Sequence, residues 1–325
     1  MESVTEISEH GPIVDIIKDL DINSLIKLYL SNKKLNTLFN TEYVLNTLSD
    51  LYKINYSATF PDFIKEYDDV YFKKGCSLTK NAGKCATIAA ARGSWHLLLQ
   101  AQKTGKIDYN LVMGSAAQGG HMDIVLWAQS QGADNYDLVM EEAAKGGHMD
   151  IVLWAQSQGA NNYDGAMAFA AEGGHMDIVL WAQSQGANDY NFTMGSAAKG
   201  GHMDIVLWAQ SQGANDYNWA MQSAAEGGHM DIVKWEQSKG ANNYNSVMRS
   251  AAKGGHMDIV LWAQSKGATD YDWAMKSAAK AGYMDIVKWA QSKGANNYDE
   301  AIVSAAEGNH MEIGKWLRKK RDGEI

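Results

Sequence analysis

From residue 110 onward, apolar and polar positions return in a fixed order. The string GHMDIVLWAQSQGA recurs with small changes every 27 residues. Placed on a wheel at ~100° per residue, Met122, Ile124, Val125, Trp127 and Ala128 form one apolar arc, with Asp123 and Ser130 opposite. The unit that starts at Asp137 reads LVMEEAAK, then Gly146–Gly147, then HMDIVLWAQSQ up to Gly159, then ANNY. Two helices, A and B, are predicted, with no strand alternation. Met140, Ala143 and Ala144 give helix A its core face. Asp137 is expected to cap helix A, with Asn191, Asn218 and Asp272 in the same place elsewhere. The paired glycines end helix A and the single glycine ends helix B. Asp150, in the first turn of helix B, suits the helix dipole.

The period fixes the architecture. His121, His148, His175, His202, His229 and His256 are evenly spaced, Tyr283 replaces the next, and His310 resumes the series. Tryptophans from Trp127 to Trp316 keep the same step. Eight units fill residues 110–325, and a worn ninth, residues 83–109, keeps Ala89, Ala90, Gly93, Leu97, Leu98 and Gly105 in register. One hairpin cannot bury both of its faces, whereas a stack of hairpins can. The expected fold is an all-α solenoid of stacked helix-turn-helix repeats. A buried tryptophan in each unit is expected to cost about 3–5 kcal/mol on truncation to alanine.

The segment GHMDIVLWAQSQGAN resembles the second half of an ankyrin repeat: Gly120–His121, Ile124–Val125 and Gly132–Ala133 match, as do Ala143–Ala144 before Gly146–Gly147. The period is shorter than that family's, the TPLH turn is absent, and Trp, Ala or Gln stand where leucines are usual. The resemblance implies an ankyrin-like stack with clipped fingers, similar to repeat proteins of large DNA viruses. Residues 1–50 resemble a degenerate F-box through Pro12, Leu20, Asp21, Ser24, Leu25 and Leu28, followed by Asn32–Lys33. That likeness implies docking on a Skp1-type adaptor through Pro12, Leu20, Leu25 and Leu28. The alternative is a helical cap on the open end of the stack. Residues 51–82 read as transition helices, and residues 83–325 as the repeat array.

Composition narrows the function. A net charge of −9 argues against a general nucleic-acid binder, which needs a basic field. Hydrophobic residues make up 46%, enough for an extensive core, yet no stretch reaches the ~20 apolar residues of a membrane span. The first residues lack the basic start and apolar run of a signal peptide. Cys76 and Cys85 lie in no metal or redox motif and read as reduced thiols. An intracellular, cytoplasmic protein is expected. Arg318, Lys319, Lys320 and Arg321 are read either as a nuclear-import signal or as a solvated last helical turn.

No catalytic, cofactor or metal site is legible. Equivalent histidines on helices ~8–10 Å apart cannot share a zinc ion that each must approach to ~2.0–2.1 Å. Each histidine is expected to bond the turn between helices A and B. The repeated aspartates are equivalent copies, so they form no acid/base pair with distinct environments. No phosphate-cradling glycine motif follows a strand.

The repeats differ from one another mainly on helix A. One column reads Leu111, Leu138, Gly165, Phe192, Trp219, Ser246, Trp273, Glu300. The next reads Gly114, Glu141, Ala168, Gly195, Gln222, Arg249, Lys276, Val303. A third reads Gln118, Lys145, Glu172, Lys199, Glu226, Lys253, Lys280, Glu307. These positions share one helical face. Leu138, Glu141, Phe192, Trp219, Gln222, Arg249, Trp273 and Lys276 are therefore the candidate contacts for a protein partner, since exposed aromatics form hot spots. A stripe of leucines on helix B, Leu126 to Leu261, is a second candidate edge but reads as surface partly covered by the adjoining unit. The expected function is protein–protein interaction, as a substrate receptor for a Skp1-type ubiquitin ligase or as a scaffold without ligase coupling.

Overall fold

The computed structural model describes residues 82–324. The F-box-like residues Pro12, Leu20, Leu25 and Leu28 lie outside the described residues. So do residues 51–81 of the transition segment. Every regular element among the described residues is an α-helix, and there is no strand. Among the described residues, eighteen helices pair into hairpins that repeat at the spacing of the sequence. The chain divides into two compact units, the first ending at Val139 and the second running from Met140 to Ile325.

In the first unit, α1 (Ala82–Ala91) pairs with α2 (Trp95–Thr104), and α3 (Tyr109–Gln118) with α4 (Met122–Ser130). Helix α1 also lies against α3. Cys85 is buried and disulfide-bonded, which corrects the expected free thiol.

Helix α5 (Tyr136–Gly146) carries the boundary between the units. In the second unit follow α6 (Met149–Ser157), α7 (Tyr163–Gly173), α8 (Met176–Ser184), α9 (Tyr190–Gly200), α10 (Met203–Ser211) and α11 (Tyr217–Gly227). Then come α12 (Met230–Ser238), α13 (Tyr244–Gly254), α14 (Met257–Ser265), α15 (Tyr271–Ala281), α16 (Met284–Ser292), α17 (Tyr298–Glu307) and α18 (Met311–Arg321). Odd-numbered members are the A helices. Successive A helices from α7 to α17 pack against one another and against their own B helices. None of the described helices is long and apolar enough to cross a membrane.

Packing explains the sequence pattern. In α9, Met194, Ala197 and Ala198 are fully buried, as are Ile205, Val206 and Ala209 of α10, the helix packed against it. Alanine pairs let the A helices approach closely. The tryptophans are only half-buried, so the expected truncation cost is too high for them. Trp127, Trp181, Trp208, Trp235, Trp262 and Trp289 each act as the edge partner of a tyrosine. Tyr190 meets Trp208 at 5.8 Å and 78°, an edge-to-face contact. The Tyr190 hydroxyl in turn accepts from Gln183 of the preceding hairpin at 3.2 Å.

The capping assignment is also corrected. Helix A starts at the tyrosine, and the Asx residue before it is the cap. Asp189 accepts from the Phe192 amide at 3.0 Å and Asp216 from the Trp219 amide at 3.1 Å. The Asx residue after the tyrosine faces the next hairpin instead. Asn191 Oδ1 accepts from the amides of Asn215 and Asp216 at 2.8 and 2.9 Å. Asn218 and Asp272 make the same clamp.

Candidate functional site

The variable columns of helix A are the candidate interface. In the second unit their members come together in diagonal pairs between successive hairpins. A side chain of the second column sits under one of the first column from the next hairpin. Trp219 lies over Gly195, where any Cβ would meet the indole. Phe192 stacks on the same ring at 5.7 Å and 19°. Trp273 receives Arg249 from the hairpin before, with Cζ 5.7 Å from the ring centre. Lys276 Nζ lies 4.4 Å from the same ring and 3.1 Å from Glu300 Oε2. Asn162 donates to Glu141, and a Cβ on Gly165 would collide with both. Large meets small, and cation meets ring or carboxylate. Variation in these columns is thus matched from neighbour to neighbour, and the columns do not vary independently.

The third column is an ion-pair ladder. Glu172 Oε1 is reached by Lys145 at 2.9 Å and Lys199 at 3.2 Å. Glu226 pairs with Lys253 and Glu307 with Lys280, each at 2.9 Å. Burial works against the charge of Glu172, but hydrogen bonds and charge from Lys145 and Lys199 outweigh it and hold the carboxyl below its usual range. Glu142 shows the reverse balance: burial exceeds the pull of Lys145 and raises its carboxyl.

Seven of the eight candidate contacts fall in the second unit, and half-buried Leu138 falls in the first. Phe192 and Trp273 remain 38% and 45% exposed, while Trp219, Gln222, Arg249, Lys276 and Glu141 are half-buried. An apolar and cationic face therefore remains open above the matched pairs.

The histidines take a structural place. A Cβ on Gly174 would land on the ring of His202 from the next hairpin, and one on Gly173 would strike the Lys145 backbone of the hairpin before. The glycine pair is squeezed from both sides, which requires glycine beyond its turn geometry at φ +83° for Gly174. His256 Nε2 donates to the Glu226 carbonyl at 3.1 Å. For His256 the bond therefore runs to the last turn of helix A in the preceding hairpin, and not to the turn of its own. No group of three or more His, Cys, Asp or Glu among the described residues is placed to hold a metal ion.

The helix B leucines are partly covered. Leu153, Leu180, Leu207 and Leu261 are 44–45% exposed, because each points away from the Ile–Val core face. At the C-terminus, Arg321 bonds Asp299 and Asp322, each at 2.9 Å, whereas Arg318 and Lys319 are exposed.

A residue that the sequence reading passed over is Glu236. It replaces the helix B alanine found at Ala209 and Ala263, is fully buried, and leaves both carboxylate oxygens without a hydrogen bond. Burial pushes its carboxyl up to about 8; the pull of Lys239 does not compensate, and Asp216 adds to the rise. The signal was one letter, WEQS where six other units read WAQS.

Compared with models of known protein families and with curated proteins, the sequence matches none.

Proposed function

We propose that the protein is a binding module that offers the helix A face of its hairpins to a protein partner. A helical repeat fold of this kind commonly serves protein interaction. The observation that carries the reading is the half-exposed aromatic set Phe192, Trp219 and Trp273 on that face. Aromatic side chains fixed on rigid helices lose little entropy on binding and form interface hot spots. The test identifies the partner by proximity labelling in the native cell and measures its affinity for the purified chain. Changing Phe192, Trp219 and Trp273 together to serine is expected to weaken binding by more than about tenfold, since hot-spot truncations cost ~2 kcal/mol or more. Unchanged affinity with unchanged helicity would reject this face.

The F-box-like segment supports a finer reading, in which the bound partner is delivered to a Skp1-type ubiquitin ligase. It rests on sequence resemblance at Pro12, Leu20, Leu25 and Leu28, as the ankyrin-like kinship rests on the repeat motif. Pull-down of a Skp1-type adaptor by the full chain, and its loss when Leu20, Leu25 and Leu28 become serine, is the expected result. Absence of any capture leaves the scaffold reading.

A further inference from the structure

Two adjacent hairpins differ from the rest in their charge. On the three variable columns, the hairpins carrying α13 and α15 contribute four cations, Arg249, Lys253, Lys276 and Lys280, and no carboxylate. Three of these are neutralised by flanking hairpins. Lys253 pairs with Glu226, Lys276 with Glu300 and Lys280 with Glu307. Arg249 has no carboxylate at ion-pair distance among the described residues. Its one polar side-chain contact is a long bond from Nη2 to Ser246 Oγ at 3.5 Å. Its guanidinium rests on the indole of Trp273. It is half-buried, so it has lost part of its hydration without gaining a counter-charge.

The shape beside it is as particular. Along the first column the order is Trp219, Ser246, Trp273, so a small residue separates two indoles. Neighbouring helices are ~8–10 Å apart, which sets the indoles roughly 16–20 Å from each other. An extended peptide rises ~3.3 Å per residue, so about five or six residues cross that gap. The chain's net charge of −9 does not decide what binds there, because charges beyond ~8 Å are screened at physiological ionic strength. The local cation does.

We infer that the Trp219–Ser246–Trp273 stretch binds a short extended acidic peptide segment, with a carboxylate on Arg249 and a large apolar side chain against each indole. This rests on the helix A face being the interface and adds the chemistry of its occupant. A planar guanidinium already stacked on an indole is preorganised for a two-pronged bond to a carboxylate.

The test uses the full chain and fluorescein-labelled peptides of about six residues. One carries tryptophan and phenylalanine at its ends with glutamates between them; its twin has glutamines instead. Fluorescence anisotropy is expected to show saturable binding of the acidic peptide and about tenfold weaker binding of the twin, the ratio that ~1.4 kcal/mol of charge-assisted bonding gives. Arg249→Gln should abolish that discrimination, Arg249→Lys should keep part of it, and Trp273→Ser should weaken both peptides. Matching circular dichroism spectra and melting curves exclude misfolding. Equal affinity for the two peptides, or no saturation by about 1 mM, the weak end of specific binding, overturns the inference. Tighter binding of an oligothymidylate than of the acidic peptide also overturns it, in favour of a nucleic acid. If the peptides fail while the triple serine variant still loses its cellular partner, the face stands and the acidic chemistry falls.

Discussion

Glu236 is the residue at which this protein departs furthest from its own pattern. Its neighbours in the series, Ala209 and Ala263, are fully buried in the same environment, so the extra carboxyl sits in space built for a methyl group. Its folded value of about 8 lies above the unfolded one of 4.5. The folded state therefore holds the proton more tightly. That stabilisation is fully present below pH 4.5 and is lost as pH rises through 8. Glu236→Ala restores the consensus residue. It is expected to raise the thermal midpoint at pH 9 and to remove most of the decline between pH 5 and pH 9, followed by circular dichroism. The gain should be on the order of 1–3 kcal/mol, the cost of leaving a buried polar group unpaired. A wild-type midpoint that does not fall over this range more than that of the variant would contradict the assignment. The substitution was visible in the sequence, but burial by the adjoining hairpins was not.

At the scale of the element, the hairpin was legible and its joints were not. Hydrophobic spacing and glycines located helices A and B to within a few residues. It could not tell whether the Asx before or after the tyrosine caps helix A. Both types suit a cap, and only the amides of the next hairpin, bonded by Asn191 and Asn218, decide. The glycines show the same division. Gly174 and Gly186 both have positive φ, but only Gly174 faces a neighbour's side chain, the His202 ring. Gly186→Ala should cost about 1–2 kcal/mol from backbone strain alone. Gly174→Ala should cost more. Adding His202→Ala should recover ~0.5–3 kcal/mol of the excess, the range of coupling between contacting residues. Chemical denaturation of the two single variants and the double variant measures this. Strict additivity would mean that ring and glycine do not meet.

At the scale of the whole molecule, nearly identical hairpins raise a question of order, which the third column answers in the second unit. Its ion pairs, from half-buried at Glu172 to exposed at Glu307, are worth on the order of 1 kcal/mol each at the surface, too little to hold the fold beside the buried Ile, Val, Met and Ala of the hairpins. They distinguish one junction from another. Excising residues 245–271 keeps the repeat in phase and brings Lys280 next to Glu226, the place Lys253 now fills. That shortened chain should keep its helicity per residue and unfold at a somewhat lower midpoint, since stability sums over repeats and interfaces. Excising residues 245–270 shifts the phase by one and should lose helicity and cooperativity. Circular dichroism separates the two outcomes, and equal folding of both would show that phase does not matter. The candidate interface was partly legible. The sequence located the variable columns, but their diagonal matching needed positions 24 to 27 residues apart to be seen in contact.

The sequence alone determined the period, the helical class and the burial of Ile, Val, Ala and the helix A Met, because 3.6-residue spacing and glycine stops act within one hairpin. Tertiary structure alone decided which charges are spent inside the stack, why paired glycines must remain glycine, and that Arg249 is left without a carboxylate. Those properties belong to the junction between hairpins, where the distance between side chains depends on how closely the helices pack.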